Sequence, residues 1–226
     1  MTIAPVRPAS TVVVVRDSPA ADGFEVLMVR RNDQVAFMAG AYVFPGGRVD
    51  DEDLARAGGD VAQAYRLAAV REVQEETGIV TDPSQLILIA HWVTPEIEIR
   101  RYDTRFFLVR MPDGQQARHD ASETTEFAWL SPRAAIERGT RGEIMLPPPT
   151  WTTLKRMMTY QTADGLFAWA RAVVTIPRVQ PQFFKDEHQS VLTLPGDPTY
   201  PTIDGWEVPE ETRFVLQDGR WRPVQS

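Results

Sequence analysis

Three glutamates and one arginine stand close together near the middle of the chain and could bind a hard divalent cation. They occupy the run R-E-V-Q-E-E-T-G, from Arg71 to Gly78. On an α-helix, Glu72, Glu75 and Glu76 project from one face, because residues three and four positions apart are neighbours. Three carboxylates so placed repel one another, and Mg²⁺ or Mn²⁺, which prefer carboxylate oxygens, would offset that repulsion. The spacing predicts a metal site, against the simpler interpretation of a solvated acidic face.

A glycine turn upstream gives this acidic helix its context. The run F-P-G-G extends from Phe44 to Gly47, and the order of glycine turn, helix and R-E-x-x-E-E-x-G resembles the Nudix box. The resemblance implies a loop-helix-loop that holds divalent cations against a diphosphate. It also implies an enzyme that hydrolyses nucleoside diphosphates linked to another group.

The same resemblance assigns a role to each residue of the box. Glu72 and Glu76 are the expected direct metal ligands, and Glu75 is a ligand or the base that activates water. The carbonyl of Gly47 is a further expected ligand. Arg71 is expected to orient the glutamates through charge-assisted hydrogen bonds and not to touch the substrate.

The box is longer than usual. Gly47 and Arg71 lie 24 positions apart, about ten more than the motif normally has. The extra segment, from Asp51 to about Gly59, is acidic and ends in glycine. This composition predicts a surface loop before a helix that Asp60 caps.

The insertion leaves open which residue fills the acidic position that the family has upstream of the arginine. Counting back from Arg71 puts this position at Gln63. Counting forward from Gly47 puts it at Asp53, with Glu52 beside it. The sequence does not choose between the two counts.

An interrupted box of this kind resembles that of the animal peroxisomal Nudix coenzyme A diphosphatases. Four further runs are similar to that branch, at residues 37–47, 92–95, 100–107 and 143–149. Together the similarity extends from about Val12 to about Met158. It implies that the substrate is coenzyme A or an acyl-coenzyme A.

A second group of Nudix enzymes that act on coenzyme A carries an arginine-serine pair, a second arginine and a glycine before F-P-G-G. Arg31 and Gly40 match this pattern, whereas Asn32 and Ala36 replace the serine and the second arginine. The predicted substrate-binding residues are Arg31, Gly40, Phe44 and Arg101. The candidates for an additional acid, from a later loop, are Glu123 and Glu126.

The resemblance therefore predicts a hydrolase that splits the phosphoanhydride of coenzyme A or acyl-coenzyme A. The products would be adenosine 3′,5′-bisphosphate and phosphopantetheine or its acyl derivative. Three alternatives stay open. They are a diphosphatase of another nucleotide such as ADP-ribose or NADH, a catalytically weak domain that senses a nucleotide, and a protein whose acidic helix is only structural.

Composition narrows the class of partner. The formal net charge of −7 over 226 residues argues against general affinity for a nucleic-acid backbone. With no cysteine, disulfides, thiolate metal sites and cysteine catalysis are excluded. No apolar run reaches the length of a membrane span, and no secretory signal is evident. We expect a cytoplasmic protein whose partner is a small nucleotide diphosphate, with no nucleic-acid or membrane partner, and with a homodimer left open.

The elements that position these residues alternate between strands and helices. Strand-like runs occur at residues 11–16, 24–29, 86–90, 104–111 and 126–130. Ser131 and Pro132 predict a helix start, residues 147–172 are expected to be mainly helical, and 214–221 fit a terminal hairpin.

The expected fold class is α/β of the α+β type, a Nudix-type mixed sheet sandwiched between helices. Residues 1–160 would form the Nudix domain, with an insertion near 51–59, and 161–226 a helical and hairpin extension packed on it.

Overall fold

The computed structural model describes residues 3–18, 23–32, 39–118, 124–185 and 189–224. The strands are β1 (Val6–Ser18), β2 (Gly23–Arg31), β3 (Tyr42–Val43), β4 (Gly46–Arg48), β5 (Ile87–Val93), β6 (Arg101–Arg110), β7 (Thr124–Leu130), β8 (Arg178–Val179), β9 (Gln182–Lys185), β10 (Ser190–Thr193), β11 (Arg213–Gln217) and β12 (Arg220–Val224). The helices are α1 (Asp51–Arg56), α2 (Val61–Thr77), α3 (Pro132–Thr140), α4 (Pro148–Met157) and α5 (Ala163–Ala172), with a 3₁₀ turn at Pro83–Gln85.

Eight of the strands form one mixed sheet. Its order is β3-β2-β1-β6-β5-β8, with β4 also paired to β1 and β7 to β2. The β1–β6 and β5–β8 pairs are parallel, and the other pairs are antiparallel. The strand-like runs predicted over 11–16 and 24–29 are confirmed as parts of β1 and β2, which pair as a hairpin. The predicted mixed sheet is confirmed as well.

Both faces of this sheet are buried, which explains the long apolar runs in its strands. Successive side chains of a strand point to opposite faces, and in β1 Val13 and Val15 join one core cluster while Val12 and Val14 join another. The first cluster lies under α3, α4 and α5, and the second lies under α2. The sheet is therefore a layer between helices, as the sequence predicts.

The C-terminal residues form a second, antiparallel sheet in the order β12-β11-β10-β9. The predicted terminal hairpin is confirmed as β11 and β12. Leu192 and Phe214 of this sheet belong to the first core cluster, and Trp206 meets Trp92 edge-on at 5.7 Å between ring centroids. The helical stretch predicted over 147–172 is two helices, because Thr162 caps a new one at α5.

The inserted segment is a helix and not the predicted surface loop. Asp50 accepts a hydrogen bond from the Asp53 amide at 2.9 Å, and Asp53 accepts one from the Asp50 amide at 3.1 Å. This reciprocal capping satisfies amide groups at the start of α1, and the acidic first turn suits the positive end of the helix dipole. The loop prediction was wrong because it treated these acidic residues only as solvated charges.

None of the described helices is long and apolar enough to cross a membrane. The division of the chain at residue 160, the homodimer and the cellular compartment stay predictions.

Candidate active site

Helix α2 presents the glutamates of the acidic run to a cavity and packs its other face on the sheet. It begins after Asp60, which accepts a hydrogen bond from the Gln63 amide at 3.1 Å, and it ends at Gly78 in the left-handed conformation with φ 70°. Ala68 and Val73 are fully buried against the sheet. The helix is thus fixed at both ends and along one side, which holds the opposite face in place.

Arg71 is the centre of the polar contacts on this face. Its Nη1 donates to Glu72 Oε1 at 2.9 Å and to Glu75 Oε2 at 3.1 Å. Its Nη2 donates to Asp53 Oδ2 and to the Arg48 carbonyl, both at 2.9 Å. One guanidinium therefore fixes two of the three glutamates, as the sequence predicts for it.

The charges around Arg71 do not balance. Four carboxylates, including that of Asp50, lie within 3.6 Å of its guanidinium nitrogens. Partial burial lowers the pKa of Arg71, but the hydrogen bond with Asp53 and the charge of Glu72 outweigh burial and raise it. Arg71 stays cationic, and the net negative charge that remains would attract a divalent cation.

The glycine turn lies directly against the glutamates. The Gly46 amide donates to Glu76 Oε2 at 3.0 Å. A Cβ atom on Gly47 would overlap the carboxylate of Glu72. A larger residue at position 47 would therefore displace the Glu72 carboxylate from its present position.

The donor set fits a hard divalent cation by chemistry. Glu72, Glu75, Glu76 and Gly47 line one cavity, and their oxygens are the ligand type that Mg²⁺ and Mn²⁺ prefer. Within the described ranges, no three His, Asp or Glu side chains converge closely enough to hold a metal ion as they stand. Arg71 and the Gly46 amide instead hold the carboxylates.

The cavity has both charged and apolar lining residues. Its volume is about 760 Å³, which is within the range of small-molecule sites. The charged lining includes the glutamates, Arg31 and Arg48. The apolar lining includes Phe44, Trp92, Phe106, Pro181, Leu192 and Trp221. A ligand that is charged at one end and apolar at the other would match this arrangement.

Two of the four predicted substrate-binding residues line the cavity, and two do not. Arg31 and Phe44 line it. Gly40 forms a turn with φ 70° and donates its amide to the Arg31 carbonyl at 3.1 Å. Arg101 is 5% exposed and donates to the carbonyls of Thr94 and Ala4 and to the side chain of Gln180. Its guanidinium therefore joins segments of the fold, which leaves it no role on the cavity wall.

One of the two later-loop acids, Glu126, is not brought to the site. Glu126 is an exposed residue of β7. Burial of Tyr42, together with its hydrogen bond to Glu126, raises the pKa of that tyrosine. Glu123 lies outside the described residues.

The three residues considered for the upstream acidic position, Asp53, Glu52 and Gln63, differ in burial and contacts. Asp53 is fully buried and contacts Arg71. Glu52 is exposed. Gln63 stands in the first turn of α2, where its amide serves the Asp60 cap. Of the three, Asp53 is therefore the residue that contacts Arg71.

Glu98 and Trp221 are two of the cavity residues that were not identified from the sequence. Glu98 lines it between β5 and β6, and burial raises the pKa of its carboxyl group. Trp221 lines it from β12, far along the chain from the box. Glu98 lies between residues 92–95 and 100–107, two runs that resemble the coenzyme A branch. This position could have indicated that Glu98 lies near the site. No pattern in the sequence indicates the placement of Trp221.

Comparisons with known proteins agree with this geometry. A model of the NUDIX domain matches residues 6–147. Acyl-coenzyme A diphosphatase NUDT19 of Xenopus laevis is 25% identical over 79% of this chain and 72% of that protein. Putative nudix hydrolase 7 of Caenorhabditis elegans is 30% identical over 77% of this chain and 69% of that protein. The crystal structure of a NUDIX hydrolase from Alicyclobacillus acidocaldarius matches with a TM-score of 0.66 and 26% identity, over 72% of this chain and 96% of that one.

Proposed function

The chain belongs to the Nudix domain family and is a Nudix hydrolase, and from this premise we propose that it hydrolyses the phosphoanhydride of coenzyme A or of an acyl-coenzyme A. The observation that carries the proposal is one cavity lined both by the glutamates of the box and by apolar side chains. Coenzyme A joins a charged diphosphate to an uncharged pantetheine arm, and an acyl-coenzyme A carries a hydrocarbon chain at the end of that arm. The name acyl-coenzyme A diphosphatase that the Xenopus relative carries supports this substrate.

The reaction adds water across one phosphoanhydride bond. A water oxygen forms a bond to phosphorus, the bridging P–O bond breaks, and the bridging oxygen leaves with the other phosphate. The products are adenosine 3′,5′-bisphosphate and phosphopantetheine, or its acyl derivative. Glu75 is more than half exposed in the cavity, and we assign it the proton that the attacking water loses.

The remaining residues of the box would hold the groups that react. Arg71 fixes Glu72 and Glu75 by hydrogen bonds, and the Gly46 amide fixes Glu76. Glu72, Glu76 and the Gly47 carbonyl would hold Mg²⁺ or Mn²⁺. When bound, such a cation supplies positive charge against the phosphate oxygens and lowers the pKa of water. Arg31 and Arg48 line the same cavity, and we expect them to pair with phosphate oxygens.

Hydrolysis assays with product identification test this proposal. The native chain would be incubated with Mg²⁺ or Mn²⁺ and coenzyme A, acetyl-coenzyme A, ADP-ribose or NADH. The same assays would be run on Glu76→Gln and on the control Glu137→Gln, whose carboxylate is exposed on α3 and does not line the cavity. We expect the native chain to cleave both coenzyme A compounds. The rate of hydrolysis should fall at least about 100-fold in Glu76→Gln and should stay at the native value in Glu137→Gln.

Other outcomes would replace the substrate or the function. Preferential cleavage of ADP-ribose or NADH would keep the hydrolase and reject coenzyme A as its substrate. Tight nucleotide binding with no cleavage of any diphosphate would instead favour the sensor. Equal activity in Glu76→Gln and the native chain would remove Glu76 from the reaction.

A further inference from the structure

Part of the apolar lining of the cavity comes from the C-terminal extension, residues 161–226. Pro181, Leu192 and Trp221 line the same cavity as Glu72 and Glu76. All three stand beyond residue 147, where the match to the NUDIX domain ends. The extension therefore completes a cavity that the Nudix domain alone would leave open on this side.

This wall is held by the second sheet. Leu192 is 5% exposed and lies in the middle strand β10, opposite Phe183 of β9 and Phe214 of β11. Trp221 lies opposite Leu216 in the terminal hairpin. Its ring meets that of Phe183 edge-on, with the centroids 6.5 Å apart. Backbone pairing and ring packing together fix the position of the indole.

Trp221 lines a second cavity as well as the main one. The second cavity has a volume of about 340 Å³. Its apolar lining includes Ile136, Ile144, Leu146 and Trp151, all buried. Its charged lining residues are Lys155, Glu211, Arg220 and Arg222. One indole side chain thus lines both the main cavity and a second space that is partly apolar.

The distribution of charge indicates which part of a substrate this wall would contact. Among the described residues that line the main cavity, every charged one precedes residue 99. The extension contributes only proline, leucine and tryptophan side chains. A phosphate or carboxylate would gain no charged side chain there, and the indole N–H of Trp221 is the one polar group that these three side chains offer. A hydrocarbon chain would gain apolar contact.

We infer that the C-terminal extension binds the acyl group of the substrate and that Trp221 sets the longest chain that is accepted. The inference rests on the proposed function, since it requires an acyl-coenzyme A in the main cavity. Shortening the Trp221 side chain would join the two cavities and give a longer hydrocarbon chain room beyond the present wall. Trp221 would then determine specificity without taking part in the chemistry.

The experiment is a chain-length profile of kcat/KM from acetyl- to hexadecanoyl-coenzyme A, with free coenzyme A as reference. It would compare the native chain with Trp221→Ala, Trp221→Phe and the control Leu216→Ala. Leu216 faces Trp221 in the same hairpin but does not line either cavity. Thermal denaturation would establish that each variant folds, and Trp221→Leu would replace Trp221→Ala if that variant does not.

We expect the preferred acyl-chain length of Trp221→Ala to increase. The ratio of kcat/KM for the longest acyl chain to that for the shortest should rise about tenfold over the native ratio. Trp221→Phe should move the optimum by less than Trp221→Ala, because phenylalanine keeps an aromatic ring at this position, and Leu216→Ala should keep the native profile. A native enzyme that cleaves acyl-coenzyme A, combined with an unchanged profile in Trp221→Ala, would overturn the inference alone. A native enzyme that cleaves other diphosphates but no coenzyme A compound would overturn the proposed function and this inference together.

Discussion

Arg71 and Asp53 form a two-point ion pair between the Nudix-box helix and the helix inserted into the box. Arg71 Nη2 lies 2.9 Å from Asp53 Oδ2, and Arg71 Nε lies 3.4 Å from Asp53 Oδ1. The Asp53 side chain is fully buried, and that of Arg71 is 22% exposed. The insertion thus supplies the acid that braces the arginine, and the arginine in turn holds Glu72 and Glu75.

Replacing Asp53 with asparagine is expected to lower both stability and activity. The substitution removes the negative charge that faces a partly buried guanidinium, and hydrogen bonds to charged groups contribute about 2 kcal/mol. We expect the free energy of unfolding to fall by roughly that amount, measured by urea denaturation. Turnover should fall as well, because Arg71 loses one of its anchors and positions the glutamates less accurately.

Glu52→Gln is the matched control for Asp53→Asn. Glu52 is the adjacent residue of α1 and its side chain is exposed, so we expect a change within about 0.5 kcal/mol. If Asp53→Asn has the same free energy of unfolding and the same turnover as Glu52→Gln, the contact of Asp53 with Arg71 does not support the site.

Local signals in the sequence were sufficient for much of the site. The Asp60 cap, the glycine after Thr77 and the spacing of the glutamates correctly gave the helix α2 and its acidic face. These features act within a few residues of one another, so they can be recognised without knowing the rest of the fold. The two apolar runs that became β1 and β2 were recognisable for the same reason.

Features that depend on distant partners were not recognisable. Arg101 was expected at the substrate, but its guanidinium reaches carbonyls at Ala4 and Thr94 and the side chain of Gln180. Trp221 reaches the cavity only because the second sheet packs on the first core. The inserted helix was missed although its capping box is local, since acidic residues were assigned to solvent without testing Asp50 as a cap.

Substituting alanine for Gly47 is expected to abolish most activity while the protein stays folded. The added Cβ would overlap the Glu72 carboxylate, so either the glycine turn or this side chain must move. A displacement of about 1 Å at a catalytic group can cost about 100-fold in rate. Steady-state kinetics with the best diphosphate substrate would measure the loss.

Gly58→Ala separates this overlap from the general cost of replacing a glycine. Gly58 has φ +60°, and a Cβ there would meet open space. We expect Gly58→Ala to lose about 1 kcal/mol of stability because of backbone strain. Its turnover should equal that of the native chain. Full activity in Gly47→Ala would contradict the close approach of turn and helix.

Glu98 is expected to make stability depend on pH. Burial raises the pKa of its carboxyl group above the ordinary value of 4.5, so the folded protein favours the protonated form. The stability that Glu98 contributes is therefore complete below about pH 4.5 and is lost as pH rises through the folded-state pKa. Glu98→Gln, which cannot ionise, should be more stable than the native chain at pH 7 and similar to it at pH 4.

Glu96→Gln is the control for this pH effect, since Glu96 is exposed in the same loop. Its unfolding curves should follow those of the native chain at both pH values. Melting temperatures recorded from pH 4 to pH 8 would compare the three proteins. If the difference in melting temperature between the native chain and Glu98→Gln stays constant from pH 4 to pH 8, the pKa of Glu98 is not raised.

Divalent cations are expected to raise the melting temperature through the glutamates of α2. A ligand that binds only the folded state stabilises it by about 2.7 kcal/mol at 100 times its dissociation constant. For a chain of this size that corresponds to about 5–10 °C. Titrations with Mg²⁺ and Mn²⁺ should show this rise in the native chain and in Glu137→Gln, and less than half of it in Glu72→Gln and Glu76→Gln. Equal rises in all four proteins would place the bound cation elsewhere, because only the last two lose a carboxylate from the cavity wall.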